Sequence, residues 1–219
     1  MTTEDILKQI LRGTSNLPKE VVQSAAQVGP ALVALIRNVR LWHTEDAGMW
    51  AVLHAIRLAS ELHLKEAPPA LIDAIFLAYS TRHEEALEDL PVAIAKAGPV
   101  ALLPLISIVE DRTLNGTIRS VAASALEGIA VLFPDTREDV LTPLRKVMSA
   151  TEESAALRGH LVTIVAHFRV PSDSRLIKNT SRAMPMMLDL DTDDIDEYFD
   201  RGDDPETWNA FRASLLEYY

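Results

Sequence analysis

Apolar and small residues recur at helical spacing along most of this chain, most densely between Gly116 and Pro134. The recurring positions in this stretch are Val121, Ala122, Ala125, Leu126 and Ile129. They lie three or four residues apart, which predicts a helix. Because small residues fill much of the remaining circumference, we expect this helix to be buried between neighbours on nearly all sides.

A pattern of helix pairs repeats from Pro30 onward. Four similar frames, PALVALI, PALIDAI, VALLPLI and DVLTPLR, begin at Pro30, Pro69, Val100 and Asp139, with offsets of 39, 31 and 39 residues. Each frame precedes a turn and a second apolar helix, predicted over residues 46–64, 84–97, 117–132 and 153–168. A repeat of this length predicts an all-α fold, an α-solenoid in which antiparallel helix pairs stack into a superhelix.

Acidic residues concentrate at the C-terminal end. Residues 189–219 hold 11 acidic residues against Arg201 and Arg212, a net charge of −9, whereas the whole chain carries −11. Thr192 and Asp204 are suited to begin helices. We therefore expect a solenoid over residues 1–188 and an acidic helical cap over residues 189–219, packed on the same array. Its docking site is hypothesised to be the basic face formed by Arg175, Lys178 and Arg182.

Composition favours a cytoplasmic protein that does not enter a membrane. Cysteine is absent, which excludes disulfides and thiolate zinc sites. The longest apolar run, Val100–Val109, is about half the roughly 20 residues of a membrane helix. The first ten residues carry acids where a signal peptide carries bases, so no leader is predicted.

The segment TIRSVAASALEGIAVL, from Thr117, resembles the second helix of HEAT-like repeats. Asp111 and Arg119 occupy positions where such repeats place an Asp and an Arg that brace neighbouring units. Residues 17–200 are similar to an uncharacterised bacterial family of HEAT-like proteins, through LPKEVV, MWAVLHAIRLASEL, LEDLPVAIA, TREDVLTPLRKV and DLDTDDIDEYF. Many members carry a Cys-rich SEC-C zinc tail, which this sequence lacks. The family has no settled activity, so the resemblance implies the fold and leaves the function open.

One acidic motif resembles a calcium-binding loop. Its carboxylates, at positions 1, 3, 5 and 12 of an EF-hand pattern, are Asp189, Asp191, Asp193 and Asp200. Asp194 occupies the place of the usual glycine, and Asp200 is shorter than the usual bidentate glutamate. We interpret these carboxylates as charges that stabilise a helix start, with calcium binding as the alternative.

The sequence contains no recognisable catalytic motif. HExxH, GxSxG and glycine-rich phosphate loops are absent. The chain is therefore predicted to have no catalytic residues, no cofactor and no metal beyond the calcium candidate.

Polar residues on the predicted second helices form the candidate binding face. In solenoids of this kind the second helices line the concave side. The candidate residues are His54, Arg57, Glu61, Arg119, Glu127 and His160. The alternative interpretation is that these groups face water or brace adjacent helices.

These observations predict a non-enzymatic binding module or adaptor for a protein or peptide, with a basic partner favoured by the acidic end. The rest of the chain carries 21 acids and 19 bases, which disfavours nucleic acid. One alternative, from the resemblance, is a HEAT-like enzyme acting on DNA bases or on a bilin chromophore. Another is an acidic neutralising protein of the immunity type or a calcium-responsive protein. The sequence leaves the partner and the oligomeric state open.

Overall fold

The computed structural model describes residues 3–11, 28–44 and 47–182, together with Ile195, Phe199, Asn209, Ala210, Arg212 and Ala213. Within these residues all regular secondary structure is helical, with ten α-helices, four short 3₁₀ helices and no strand. The all-α prediction is therefore confirmed for the described part of the chain.

Ten α-helices follow one another in the described sequence. They are α1 Thr3–Leu11, α2 Gly29–Ile36, α3 Ala47–Glu61, α4 Ala67–Thr81, α5 Glu84–Ala97, α6 Leu102–Glu110, α7 Gly116–Leu132, α8 Arg137–Ser149, α9 Ala155–His167 and α10 Ser174–Arg182. The 3₁₀ helices are Leu41–His43, Pro99–Ala101, Pro134–Thr136 and Pro171–Asp173. The four predicted second helices correspond to α3, α5, α7 and α9, with ends that differ by at most three residues.

The chain forms two compact units, Met1–Ala101 and Leu102–Tyr219, called unit 1 and unit 2 below. In unit 1, α2 packs on α3 and α4 packs on α5, while α2 also contacts α4 and α3 contacts α5. In unit 2, α6 and α7, and α8 and α9, form the corresponding pairs, while α6 contacts α8 and α7 contacts α9. Within each unit, first helices therefore contact first helices and second helices contact second helices.

Helix α7 occupies the centre of the unit 2 core. The Asn115 side chain caps its N-terminus by accepting a hydrogen bond from the Thr117 backbone N–H at 2.8 Å. Buried residues lie on nearly every side of α7, from Ile118 to Val131. The expectation that its apolar and small residues would be enclosed on most sides is confirmed.

The C-terminal cap falls largely outside the described residues. Ile195 and Phe199, which are described, are helical and buried. Arg175 and Arg182 on α10 are exposed. The division at residues 188 and 189, and the docking of the acidic segment on the basic face, stay predictions.

Candidate binding surface

Two of the predicted binding-face residues on α3, Arg57 and Glu61, bond to α5. The Arg57 guanidinium donates to Asp89 Oδ2 at 2.9 Å and 2.8 Å through two nitrogens. Glu61 forms an ion pair with Lys96, whose side chain is buried. His54 is buried, with its ring centroid 6.2 Å from that of Trp50.

Arg119 joins α7 to its neighbours in unit 2. It donates to the Val109 carbonyl at 2.8 Å and forms two parallel hydrogen bonds to the Glu153 carboxylate, at 2.7 and 2.8 Å. Both charged side chains are almost fully buried. Asp111 instead accepts hydrogen bonds from the Thr113 backbone and hydroxyl, at 2.9 and 2.7 Å, and stabilises the turn before α7.

A second set of polar contacts connects α7 with α9. Glu127 accepts a hydrogen bond from His167 Nδ1 at 2.5 Å. His160 Nε2 lies 3.0 Å from Ser124 Oγ and 3.2 Å from the Ser120 carbonyl oxygen. These contacts, like the one between Arg119 and Glu153, join residues 34–40 positions apart, close to one repeat.

Ser124 and His160 form a pair of the kind that also occurs at activated serines. A carbonyl oxygen only accepts hydrogen bonds, so the Ser120 contact is a hydrogen bond when His160 Nε2 carries the proton. In that tautomer the nitrogen cannot take a proton from Ser124, as a general base would. Glu127, the carboxylate in this set of contacts, bonds His167 rather than His160. The arrangement is suited to fixing α7 against α9.

Burial and partner charges shift several pKa values in these networks. Burial raises the pKa of Asp89, against the opposing charge of Arg57. The hydrogen bonds from Arg119 lower the pKa of Glu153. Burial lowers the pKa of His160, whereas the hydrogen bond to Glu127 raises the pKa of His167.

We expect the His167–Glu127 contact to stabilise unit 2 at low pH and to lose this effect as the pH rises. The pKa of His167 is raised above its ordinary value of 6.5, so the protonated ring stabilises the fold fully below 6.5 and loses that effect as the pH rises through the folded-state pKa. His160 acts in the opposite sense, because its lowered pKa costs stability as the pH falls below 6.5. His167→Gln should therefore remove the loss of stability at alkaline pH and leave the loss of stability at acid pH.

Urea unfolding of the wild type and His167→Gln between about pH 5.5 and 8.5 measures this effect. Glu127→Gln should change the profile in the same direction as His167→Gln. Thr163→Ala, an exposed change on the same helix, is the control and should keep the wild-type shape. A His167→Gln profile parallel to that of the wild type would show that the contact does not contribute.

The six predicted binding-face residues are thus placed in two groups, three on α3 in unit 1 and three on α7 and α9 in unit 2. Five of them form hydrogen bonds or ion pairs with neighbouring helices or turns. Their use as a surface for a partner stays a prediction. The calcium candidate, Asp189, Asp191, Asp193 and Asp200, lies outside the described residues. Among the residues the structure does describe, no three His, Asp or Glu side chains are grouped so that they could hold a metal ion.

Several large apolar side chains are exposed on first helices and on the connections next to them. In unit 1, Phe76 and Tyr79 of α4 are 36% and 37% exposed, and Val39, in the connection after α2, is 50% exposed. These three residues are called the apolar patch below. Sequence reasoning missed this patch, although a signal was present. Ile72, Phe76 and Tyr79 form a second apolar stripe on α4, beside the buried one.

Searches of the chain against protein-family models, curated proteins and solved structures found no match in any of the three. No single helix in the described ranges is both long and apolar enough to cross a membrane.

Proposed function

We propose that this chain is a HEAT-like α-solenoid that acts as a non-enzymatic binding module or adaptor for a protein or peptide partner. The pattern of helix contacts within each unit supports the solenoid. The polar contacts between equivalent helices support it too, since those of α3 and α7 reach partners 32–40 positions away. The bonds of Arg119 to the Val109 carbonyl and to Glu153 support the bracing role that the resemblance to HEAT-like repeats implies for it, whereas Asp111 bonds Thr113 and not Arg119.

The apolar patch is the observation that carries the binding function. Tyr and Phe side chains are large, and exposing them to water forgoes the stabilisation that burial would give. Aromatic residues are enriched in the centres of protein interfaces, where they often contribute most of the binding energy. In contrast, the polar residues of the second helices are already bonded within their units. The first-helix side of unit 1 is therefore the surface best suited to a partner.

Capture of proteins from a bacterial lysate tests this function. The immobilised wild type is compared with Phe76→Ser/Tyr79→Ser and with Leu103→Ser, a matched change at an exposed leucine of unit 2. We expect at least one protein to be held by the wild type and the control but reduced by about tenfold or more on the double variant, since interface aromatics often contribute 2 kcal/mol or more. Thermal melts verify that all three are folded. The proposal would be wrong if the three surfaces held the same proteins equally.

A further inference from the structure

Residues 37–43, which follow α2, lie along one side of α4. At one end Arg37 contacts Asp73 at 3.4 Å, and at the other the Trp42 carbonyl oxygen lies 2.6 Å from His83 Nε2. The 3₁₀ helix Leu41–His43 also contacts α4. Phe76 and Tyr79 occur on α4 between Asp73 and His83, and Val39 occurs between Arg37 and Trp42. Val39 thus lies on a segment that is held against α4 at both ends of the stretch that carries the two exposed aromatic residues.

Positive charge accompanies the apolar patch. Arg37 and Arg40 stand two residues before and one residue after Val39, and both are exposed. The stretch Arg37–His43 contains no acidic residue. Asp73 contacts Arg37 at the long distance of 3.4 Å, and both side chains of this pair are at least half exposed. An exposed pair of this kind contributes little, so a partner can compete for Arg37.

Arg40 has no carboxylate partner within the described part of the chain. Its guanidinium presents a planar set of donors that matches a carboxylate with two parallel hydrogen bonds. Arginine is also enriched at the centres of protein interfaces. The patch thus combines exposed aromatic rings with two guanidinium groups that can receive acidic side chains.

We propose that this patch binds an acidic amphipathic segment of a partner protein. Apolar side chains of that segment pack on Phe76 and Tyr79, and its carboxylates bond Arg37 and Arg40. The inference rests on the proposed binding function and names the class of partner.

The net charge of the whole chain, −11, favours a basic partner. At this patch, however, the charges close by determine which partner binds. The Debye length is about 8–10 Å at physiological salt, so exposed charges farther away are largely screened. At the patch itself Arg37 and Arg40 are exposed, and among the described residues Asp73 is the carboxylate that contacts Arg37.

Selection of randomised, displayed short peptides on the immobilised full-length chain tests the proposal. Peptides that also bind Phe76→Ser/Tyr79→Ser are removed by counter-selection. We expect the remaining peptides to be enriched in Asp and Glu together with aromatic or aliphatic residues. The most enriched peptide, synthesised with a fluorophore, should bind at least about tenfold more weakly to Arg40→Glu than to the wild type, as interface charge reversals typically do.

Lys65→Glu is the control, because it makes the same charge change at an exposed residue before α4. It should bind the peptide as the wild type does. Patch-dependent peptides that are neutral or basic, or that bind Arg40→Glu and the wild type equally, would overturn the acidic partner and leave the binding function standing. A selection that yields no patch-dependent peptide would count against both.

Discussion

Replacing Arg119 with methionine is expected to lower the free energy of unfolding of unit 2 by about 3 kcal/mol. The change leaves the Glu153 carboxylate almost fully buried without its two parallel hydrogen bonds, and it leaves the Val109 carbonyl without its donor. Methionine keeps much of the length and apolar stem of arginine, so lost packing contributes little. The loss is therefore mainly the cost of a buried charge that has lost its principal partner.

Arg112→Met is the matched control for this result. Arg112 also contacts Glu153, at 3.1 Å, but its side chain is more than half exposed. Exposed ion pairs contribute about 1 kcal/mol or less, so this variant should remain close to the wild type. Urea unfolding followed by circular dichroism gives both values. Equal effects of the two variants would contradict the assignment of Arg119 as the main brace. The double change Arg119→Met/Glu153→Leu should recover stability relative to Arg119→Met alone, because it removes the buried carboxylate.

Leu126→Ala should also destabilise unit 2, by about 2–5 kcal/mol. Leu126 lies on α7 with none of its surface exposed, among residues that are themselves buried. Truncation removes apolar contacts and leaves a cavity that close-packed neighbours fill only in part. Chemical denaturation measures the loss as a shift in the unfolding midpoint at an unchanged slope.

Leu103→Ala makes the same chemical change at a residue that is 78% exposed. We expect it to alter the free energy of unfolding by less than about 0.5 kcal/mol, as surface changes usually do. Both variants lose the same atoms, so the difference between their free energies of unfolding measures what burial contributes. If Leu126→Ala unfolded at the same midpoint as Leu103→Ala, α7 would not be the centre of the core.

The helices of this chain could be predicted from sequence because their signals are local. The apolar spacing of α7 depends on a few adjacent residues, and the structure shows that helix with its apolar residues buried. Helix packing brings together residues about one repeat apart, which the apolar spacing within a helix does not specify. The sequence showed Arg57 and Glu61 as a polar stripe, but it did not show that they meet Asp89 and Lys96 on α5.

The apolar patch was missed for a related reason. An apolar stripe on a helix ordinarily indicates a buried face, and α4 has two such stripes. Only the packing of α2 and α5 on α4 decides which stripe is enclosed. Phe76 and Tyr79 belong to the stripe that stays partly open, and single-sequence reasoning gives no means of choosing between the two.

The polar contacts within each unit join residues that are close in sequence, which favours fast folding. Among the described residues, the side-chain contacts between neighbouring helix pairs connect residues no more than 41 positions apart. Low sequence separation reduces the loop-closure entropy lost before a contact forms, and helical proteins of this kind are among the faster folders. In the proposed solenoid, each helix pair can add to one already formed, so nucleation is free to begin at different pairs in different molecules.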